Sequence, residues 1–506
     1  MAIAIHAAQV VGLDAQPILV EVDLTSGLHI FTIVGLADKE VQESRERISA
    51  AIKNLGAVAP HQKSQRVIVN LAPANIKKEG PAFDLAIALG YLLASGQVAF
   101  DPSGIIFLGE LGLDGALRPV SGVLPMAMTA RAHGFNTLIL PRGNGVEAAL
   151  IENVAVKEAR TLAEVVEHLT GRKNLPTLPR TVPVAASNAN ALDFKDIKGQ
   201  EYAKRALEIA AAGGHNILCW GPPGSGKTIL ARALPSLLPS LSFEEALEVS
   251  KIYSIAGLLK QTLPFVAHAP FRSPHHTASH AAIIGGGTLP RPGEVTLAHR
   301  GVLFLDEFAE FDRRVIESLR QPTEERTVTI TRTQGTETFP AHFMLVAAMN
   351  PCPCGNAGNP SKDCTCTPGA ILRYKKKISG PILDRIDLHV EVPAIAYEKL
   401  SGGDGEPSSA IRDRVARARE IQRERFSGLP ITVNAEMNLA QLKQFISVTD
   451  DLIETLKAAH ERYQLSARSY HRVLKLARTI ADLAGSAVVA KDHLLEALNY
   501  RPKQEL

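Results

Sequence analysis

A glycine-rich loop between a strand-like run and a helix-like run is the strongest constraint on the fold of this chain. The apolar run HNILCW spans 215–220, GPPGSGKT follows at 221–228, and ILARALPSLL continues with helical spacing. Glycines in such a loop let backbone N–H groups approach phosphate oxygens at the start of a helix. The sequence therefore predicts a strand, a phosphate-binding loop and a helix, as in nucleotide-binding α/β folds.

Within this loop, two side chains have separate predicted roles. Lys227 is expected to reach the terminal phosphates of ATP, and the Thr228 hydroxyl is expected to bind Mg²⁺. The predicted cofactor-binding residues of the loop are Gly221, Pro222, Pro223, Gly224, Ser225, Gly226, Lys227 and Thr228. ATP and Mg²⁺ are thus the predicted cofactors.

Two further strand-like runs end in polar residues. GVLFLDEF (301–308) contains Asp306, expected to hold Mg²⁺, and Glu307, expected to polarise the attacking water. FMLVAAMN (343–350) ends in Asn350, expected to orient that water or sense the γ-phosphate, because ligands gather at the carboxyl ends of parallel strands. Helix capping by the acidic pair and turn formation by Asn350 are the simpler alternatives.

Around these motifs, the chain divides into four predicted regions. Strand-like and helical runs alternate in residues 1–171, and the segment 172–192 carries three prolines, as expected of a linker. Alternation returns around the nucleotide motifs in 193–393, and 394–506 is almost wholly helical. A chain of 506 residues is too long for one core. The predicted fold class is a multidomain α/β protein with a P-loop NTPase core and a C-terminal helical lid.

Charge and hydropathy narrow the function classes. The formal net charge of +3 is nearly neutral, so contact with nucleic acid must come from local patches. The first residues lack a basic segment and Asp14 interrupts their apolar run, which argues against a signal peptide or a membrane span. A cytoplasmic protein without membrane contact is the expectation.

Four of the five cysteines crowd into one short loop. Cys352 and Cys354 form one CxC pair, and Cys364 and Cys366 form a second pair after nine intervening residues. Four thiolates suit tetrahedral Zn²⁺, which would fold a segment too small for its own core. Redox sensing or unligated thiols are the alternatives, because CxxC is the commoner spacing. Cys219 lies in the strand before the glycine loop and is expected in the core.

Together these motifs resemble the AAA+ ATPases of the magnesium-chelatase-like branch, most closely the ComM/YifB family. The resemblance covers essentially the whole chain and is most specific at 273–311, 350–368 and 378–392. It implies a homo-hexameric, ATP-dependent helicase or branch-migration motor that acts on single-stranded, forked or branched DNA during recombination in natural transformation. A recombinase or other competence proteins are the further partners it implies. A chelatase-type motor that remodels a protein, or a non-translocating ATP-gated scaffold, is the competing interpretation.

Two arginines gain roles from the resemblance. Arg385 in LDRID resembles the arginine finger, which stabilises charge on the transferring phosphoryl group of a neighbouring subunit's ATP. A salt bridge with Asp384 or Asp387 is the structural alternative. Arg468 in SARSYHRVLKLAR resembles the second sensor, and Arg472, one turn later, is the alternative register.

Two segments resemble insertions that face the pore of the ring. TVTITRTQGTETF (327–339) has the alternation and turn of a β-hairpin, and the segment 270–294 contains a run of glycines. Six copies of a basic residue on such a loop would grip a phosphate backbone without reading its sequence. The candidate DNA contacts are Arg332, Arg291, His275, His276, Lys375 and Lys376.

Residues 1–171 resemble the proteolytic domain of Lon proteases, a ribosomal S5 domain 2-like α/β fold. The positions that match its catalytic serine and lysine are Ala82 and Leu124, and neither side chain can perform that chemistry. The resemblance therefore implies a non-proteolytic domain with a role in ring assembly or DNA contact. The basic residues considered as phosphate contacts, or equally as solvated surface, are Lys63, Arg66, Lys77 and Lys78.

Overall fold

The structure, a computed structural model, describes residues 2–181, 192–259, 262, 264–287, 291–332, 335–359, 362–394, 405–463 and 465–501. The chain forms two compact units, Met1–Val184 with Ala246–Val266, and Ala185–Glu245 with Ala267–Leu506. Within the described ranges, no helix is long and apolar enough to cross a membrane.

The first unit is built on a seven-stranded mixed sheet in the order β3-β4-β2-β1-β5-β8-β9. Its strands are β1 (Ile3–Val11), β2 (Asp14–Ser26), β3 (Ile30–Val34), β4 (Gln65–Ala72), β5 (Ile105–Phe107), β8 (Thr137–Pro141) and β9 (Ala155–Ala159), while β6 (Glu110–Leu111) and β7 (Leu117–Arg118) form a separate pair. The strands β1, β2 and β4 are antiparallel neighbours, whereas β5, β8 and β9 run parallel.

Helices cover this sheet and close its core. They span Lys39–Asn54, Asp84–Ala94, Val123–Ala132, Gly145–Ala148 and Leu162–Leu169, with short 3-10 helices at Pro60–Gln62 and Pro81–Phe83. The helix Asp84–Ala94 is apolar on all sides, so it is buried rather than amphipathic. Residues 172–181 of the predicted linker stay with the first unit, because the Thr181 hydroxyl donates a 2.8 Å hydrogen bond to the Val146 carbonyl.

The segment Ala246–Val266 belongs to the first unit by contact, although its sequence position falls within the predicted ATPase core. Ser254 donates a 2.6 Å hydrogen bond to the Glu147 carboxylate and accepts a 3.2 Å bond from the Leu124 amide. The Gly122 amide also donates to the Ser254 carbonyl, at 2.9 Å. Leu124, which the Lon-protease resemblance matches to the catalytic lysine, is therefore buried beneath this segment.

The second unit contains a five-stranded, all-parallel sheet in the order β11-β14-β17-β10-β18. Its strands are β10 (Ile217–Trp220), β11 (Phe271–Arg272), β14 (Val302–Leu305), β17 (Met344–Met349) and β18 (Leu388–Glu391). Every residue of β14 and β17 is buried, as expected when helices cover both faces of a parallel sheet. Cys219 lies in β10 and is buried as predicted, and burial raises its thiol pKa to about 12.

Short helices surround this sheet. They span Glu201–Gly213, Lys227–Ala233, His280–Ile284, Glu294–Leu297, Arg313–Ser318, Arg320–Glu325, Pro368–Lys375 and Gly380–Leu383, with 3-10 helices at Phe194–Asp196, Leu234–Leu237 and Phe308–Glu310. The helix Phe243–Ile255 continues from the second unit into the first.

The C-terminal part of the second unit is helical, as its sequence pattern predicts. Its helices are Ser408–Arg425, Leu439–Phe445, Asp450–Tyr463, Ala467–Leu483 and Lys491–Asn499, with a 3-10 helix at Asn434–Glu436. Buried polar groups are paired where these helices meet: Gln422 donates a 3.0 Å hydrogen bond to the Ala212 carbonyl, and Arg425 pairs with Asp482 at 2.7 Å. Such pairing fixes the helices against the core, because buried polar groups left unpaired are costly.

The predicted hairpin is confirmed. The strands β15 (Thr327–Arg332) and β16 (Gly335–Pro340) pair antiparallel, with Arg332 opposite Gly335. The turn residues 333–334 and the side chain of Arg332 lie outside the described part of the chain. A second small pair joins β12 (Gly285–Gly286) to β13 (Arg291–Pro292), and places the exposed Arg291 next to residues 288–290, which are also outside the described residues.

Candidate nucleotide and metal sites

The glycine loop lies between the end of β10 and the start of the helix Lys227–Ala233. Gly224 and Gly226 adopt positive φ angles of 77° and 95°, which favour glycine. A side chain at Gly221 is excluded, because a Cβ there would lie 2.1 Å from the Val392 carbonyl oxygen. The Ser225 hydroxyl is buried without a hydrogen-bond partner in the described structure. A narrow backbone cradle with an unsatisfied hydroxyl fits a bound phosphate.

Lys227 connects the loop to the neighbouring strand. Its ammonium donates 2.8 Å hydrogen bonds to the carbonyls of Gly221 and Pro222, and a 3.3 Å bond to Oδ1 of Asn350 at the end of β17. Burial lowers the pKa of Lys227, while the negative charge of Asp306 opposes that shift. The structure therefore brings together the lysine of the glycine loop and the asparagine at the end of β17.

Thr228 and Asp306 form the candidate Mg²⁺ site. The Thr228 hydroxyl donates a 2.7 Å hydrogen bond to Oδ2 of Asp306, which follows β14 directly. Oδ1 of Asp306 accepts a 2.9 Å bond from the Glu307 amide. Hydroxyl and carboxylate oxygens are ligands that Mg²⁺ prefers, so the two adjacent groups fit one shared ion.

Glu307 makes a contact that its sequence motif does not indicate. Its backbone has a φ of 52°, a left-handed conformation that is uncommon for residues other than glycine. Oε2 of Glu307 lies 3.0 Å from Nδ1 of His276, whose ring centroid lies 4.2 Å from that of His275, with the two rings tilted by 33°. His276, a candidate DNA contact from the sequence, thus lies at the acidic end of β14 in this structure.

Arg385 lies at the opposite end of the sheet from the glycine loop. It precedes β18, which runs parallel to β10, and its carbonyl accepts a 3.0 Å hydrogen bond from the Asn216 side chain just before β10. The loop instead follows the last residue of β10, so the length of a four-residue strand, about 13 Å, separates the two edges. The arginine and the glycine loop of one chain therefore face opposite ends of the sheet.

Glu324 joins the two arginines that the resemblance singles out. The Arg385 guanidinium pairs with Glu324 and donates a 2.6 Å bond to the Pro381 carbonyl, and Nη2 of Arg468 lies 3.8 Å from the same carboxylate. In the described structure the acidic partner of Arg385 is thus Glu324 rather than an adjacent aspartate. Nε of Arg385 is buried without a partner among the described residues. Glu324 belongs to no motif, so sequence reasoning missed it.

Arg472 is partly exposed and forms an ion pair with the buried carboxylate of Asp387. Its Nη1 lies 2.6 Å from Oδ1 of Asp387, and His215 approaches the other oxygen of the same carboxylate at 3.3 Å. Burial works against ionisation of Asp387, but Arg472 and His215 outweigh it and hold its pKa below the ordinary range. Arg468 is instead 61% exposed, so it is the arginine of this pair that can still meet a ligand.

The four cysteines of the loop come together as the zinc prediction requires. Their sulfur atoms all lie within 4.8 Å of one another, with 3.4 Å between Cys352 and Cys354, 3.7 Å between Cys352 and Cys364, and 3.6 Å between Cys354 and Cys364. All four are free thiols. A tetrahedral zinc with Zn–S bonds of about 2.3 Å needs sulfurs about 3.8 Å apart, so the cluster fits Zn²⁺.

The remaining basic candidates occupy different settings. Lys375 ends the helix Pro368–Lys375 and Lys376 follows it on the surface. In the first unit Lys63 and Arg66 are exposed, and Lys77 pairs with Glu79 at 3.0 Å.

The prediction for Lys78 is wrong. It is fully buried, its ammonium bonds the Pro73 carbonyl, and burial lowers its pKa, so it cannot serve as a surface phosphate contact.

A parallel sheet with a glycine loop, a threonine–aspartate pair and a strand-end asparagine defines an ATPase of the P-loop, AAA+ type. Family models for the magnesium chelatase subunit ChlI match residues 193–400 and 20–144, and the model for the C-terminal part of that subunit matches 405–501. The chain is 44% identical over 499 residues to competence protein ComM of Haemophilus influenzae, an alignment that covers 97% of this chain and 95% of ComM. It is 42% identical over 502 residues to YifB of Escherichia coli, covering 98% and 96% of the two chains. This chain belongs to the magnesium-chelatase-like AAA+ family that includes ComM and YifB, which confirms the resemblance.

Proposed function

We propose that this chain hydrolyses ATP as a ring-forming motor, a homo-hexamer that unwinds DNA or moves branch points in recombination intermediates. One observation carries the proposal: the glycine loop and Arg385 lie at opposite ends of the same parallel sheet. A complete ATP site then needs the loop of one copy and the arginine of the next. Copies that repeat this contact head to tail form a ring when the rotation between neighbours closes, and we propose that six copies close it.

Each named side chain has a role in the proposed hydrolysis. The loop amides and Lys227 hold the phosphates, and Thr228 and Asp306 hold the metal. Glu307 accepts the proton of the attacking water once His276 has released its carboxylate. When bound, Mg²⁺ neutralises charge on the phosphate oxygens.

One asparagine and two arginines complete that site. Asn350 orients the water, and Arg385 of the neighbouring copy stabilises charge on the transferring group. Arg468 contacts the same nucleotide, because Glu324 places it beside Arg385. Glu324 would release both arginines when the neighbour's phosphates arrive, since two guanidinium groups pair more favourably with a polyphosphate than with one exposed carboxylate.

The domain assignments extend the family membership. We assign 1–171 to a non-proteolytic Lon-protease-like domain, 193–393 to the ATPase core and 394–506 to the helical lid. The buried Ala82 and Leu124 support the absence of protease chemistry. The buried contacts between the C-terminal helices and the helix Glu201–Gly213 support the lid assignment.

Similarity to a competence protein and the paired hairpins support DNA as the substrate. Both hairpins are two-stranded sheets separate from the central sheet, and each carries one arginine, Arg332 or Arg291. In a ring these residues repeat around the axis, so a modest charge on each chain becomes a circle of positive charge. A motor that remodels a protein partner is the competing function, and the chelatase subunit models that match the chain favour it.

The deciding experiment measures ATP hydrolysis and strand separation with single-stranded, duplex, forked and four-way DNA. We expect DNA to stimulate hydrolysis, and forked or four-way DNA to be unwound only by protein with an intact Lys227. Lys227→Ala should abolish both activities. Hydrolysis that no DNA stimulates would overturn the DNA-motor proposal while leaving ATPase activity intact.

A further inference from the structure

The four-cysteine loop begins beside the nucleotide site. Cys352 is two residues after Asn350, whose Oδ1 accepts the hydrogen bond from Lys227 at 3.3 Å. The intervening Pro351 and Cys352 itself are buried, so this end of the loop is packed against the core. Only the buried Pro351 therefore separates Asn350 from the first cysteine of the loop.

The middle of the loop packs directly on the glycine loop. Gly355 has a φ of 80°, and a Cβ built there would lie 2.7 Å from Cδ and 3.1 Å from Cγ of Pro223. The same Cβ would lie 3.9 Å from Cγ of Asn350. Only a glycine lets the backbone at position 355 lie this close to the ring of Pro223. Gly355 thus connects the cysteine loop to both Pro223 and Asn350.

The far end of the loop returns to the same place. After Cys366, Thr367 caps the helix Pro368–Lys375, which carries the buried Tyr374. Burial raises the pKa of Tyr374 to about 12, and the backbone of Asn350 partly opposes this shift, so the two residues are neighbours. Both ends of the cysteine loop therefore lie next to Asn350 of the candidate nucleotide site.

Little in the loop other than its thiols can hold this arrangement. Between Cys352 and Cys366 the sequence CPCGNAGNPSKDCTC has no large apolar side chain, so it has no core of its own. Metal–thiolate bonds replace a core in segments of this size, and their formation is part of the folding free energy. Along the chain, Gly355 follows Cys352 and Cys354 and precedes Cys364 and Cys366. An ion shared by the four thiols would therefore close the loop that contains Gly355 and its contact with Pro223.

We infer that Zn²⁺ held by Cys352, Cys354, Cys364 and Cys366 positions the nucleotide site through Gly355 and Tyr374, so that nucleotide affinity depends on zinc. Gly355 and Tyr374 are positioning residues, because they act on Pro223 and Asn350 rather than on the nucleotide. Loss of zinc releases Gly355 from Pro223 and loosens the loop that binds the phosphates. This inference rests on the proposed nucleotide site and places a structural zinc ion in the neighbouring cysteine loop.

The first test compares zinc content with nucleotide affinity in the full-length protein. Zinc is measured by mass spectrometry, and affinity by titration with a fluorescent ATP analogue in excess Mg²⁺. We expect one zinc per chain. A zinc-selective chelator under reducing conditions should weaken nucleotide binding by roughly tenfold or more, and added Zn²⁺ should restore it. Protein without zinc, or affinity that does not follow zinc content, would overturn the inference.

Two glycines of the same loop supply a matched pair of variants. Gly355 and Gly358 have φ angles of 80° and 76°, but a Cβ at Gly358 meets nothing within 4 Å. Gly355→Ala and Gly358→Ala therefore carry similar backbone strain, and only the first disturbs Pro223. We expect both variants to retain zinc, and only Gly355→Ala to lose nucleotide affinity, by roughly tenfold.

Equal affinities in the two variants would contradict the coupling, even if both bind zinc. Wild-type protein that holds zinc and binds no nucleotide would instead contradict the nucleotide site itself. The failure of the zinc inference is thus separable from the failure of the proposed function.

Discussion

The carbonyl oxygen of Arg385 accepts a 3.0 Å hydrogen bond from the side chain of Asn216, the residue just before β10. The glycine loop follows the other end of β10, so Arg385 and the loop lie on opposite edges of one sheet. The proposed arginine-finger role of Arg385 therefore requires a second copy of the chain. Under this proposal hydrolysis depends on assembly, which single-residue variants can test.

Arg385→Ala should abolish hydrolysis while nucleotide binding stays within a few-fold of wild type. An arginine finger raises the hydrolysis rate by a factor of about 10³ or more, and it does not bind the nucleotide of its own subunit. Steady-state hydrolysis and binding of a fluorescent ATP analogue measure the two effects.

Mixing two inactive proteins provides the control for Arg385. Rings that combine Arg385→Ala and Lys227→Ala chains should regain part of the activity, because some interfaces then pair an intact arginine with an intact lysine. Mixtures that stay inactive, although mass measurements show that mixed rings form, would contradict the shared site.

Glu307→Gln should bind ATP and Mg²⁺ as wild type does, yet hydrolyse ATP at least a hundredfold more slowly. The amide cannot accept a proton from water, whereas Thr228 and Asp306 still hold the metal. A single-turnover assay with bound ATP measures the loss. Unchanged hydrolysis in this variant would assign the general base to another residue.

Arg332→Glu should weaken DNA binding and reduce its dependence on salt. A hairpin arginine that contacts phosphate releases a counterion on binding, and in a ring the loss is repeated in each copy. Fluorescence anisotropy with single-stranded DNA at several salt concentrations measures both quantities. Lys457→Glu, which changes the charge of an exposed lysine on the helix Asp450–Tyr463, is the control and should leave binding nearly unchanged.

The free energy of unfolding of the first unit should fall as the pH rises from about 4 to about 6, because the buried Asp84 then loses its proton. Burial raises the pKa of Asp84 to about 6, although Arg47 at 2.7 Å partly opposes the shift. Because the folded carboxyl holds its proton at a pH where the unfolded one has lost it, the stabilisation is complete below pH 4. It is lost as pH rises through 6, and amounts to about 3 kcal/mol for a shift of about two pH units.

Hydrogen exchange of the helix Asp84–Ala94, corrected for intrinsic rates, measures this effect in the whole protein. Asp84→Asn should remove most of the pH dependence between 4 and 6, whereas Asp101→Asn, at an exposed aspartate, should leave it in place. Burial also raises the pKa of Glu147 in the same unit, so a smaller slope of the same sign should remain. An unchanged slope in Asp84→Asn would refute the assignment.

Much of the nucleotide site was predictable because its signals are local. The glycine loop needs glycines at fixed spacing, and the end of a buried strand is visible as an apolar run that stops at a polar residue. Parallel strands then place Lys227, Asp306 and Asn350 at one edge without further information. The CxC pairs and the hairpin are local in the same sense.

By itself, then, the sequence determined the family, the P-loop core and the residues that are candidates for binding ATP and metals. Only the tertiary structure decided which distant groups meet: Glu324 between Arg385 and Arg468, His276 on Glu307, and Gly355 on Pro223. It also buried Lys78 and placed Ser254 against Glu147, in the other unit from the glycine loop. Such contacts follow from how whole elements pack, and a spacing pattern in the chain carries no information about them.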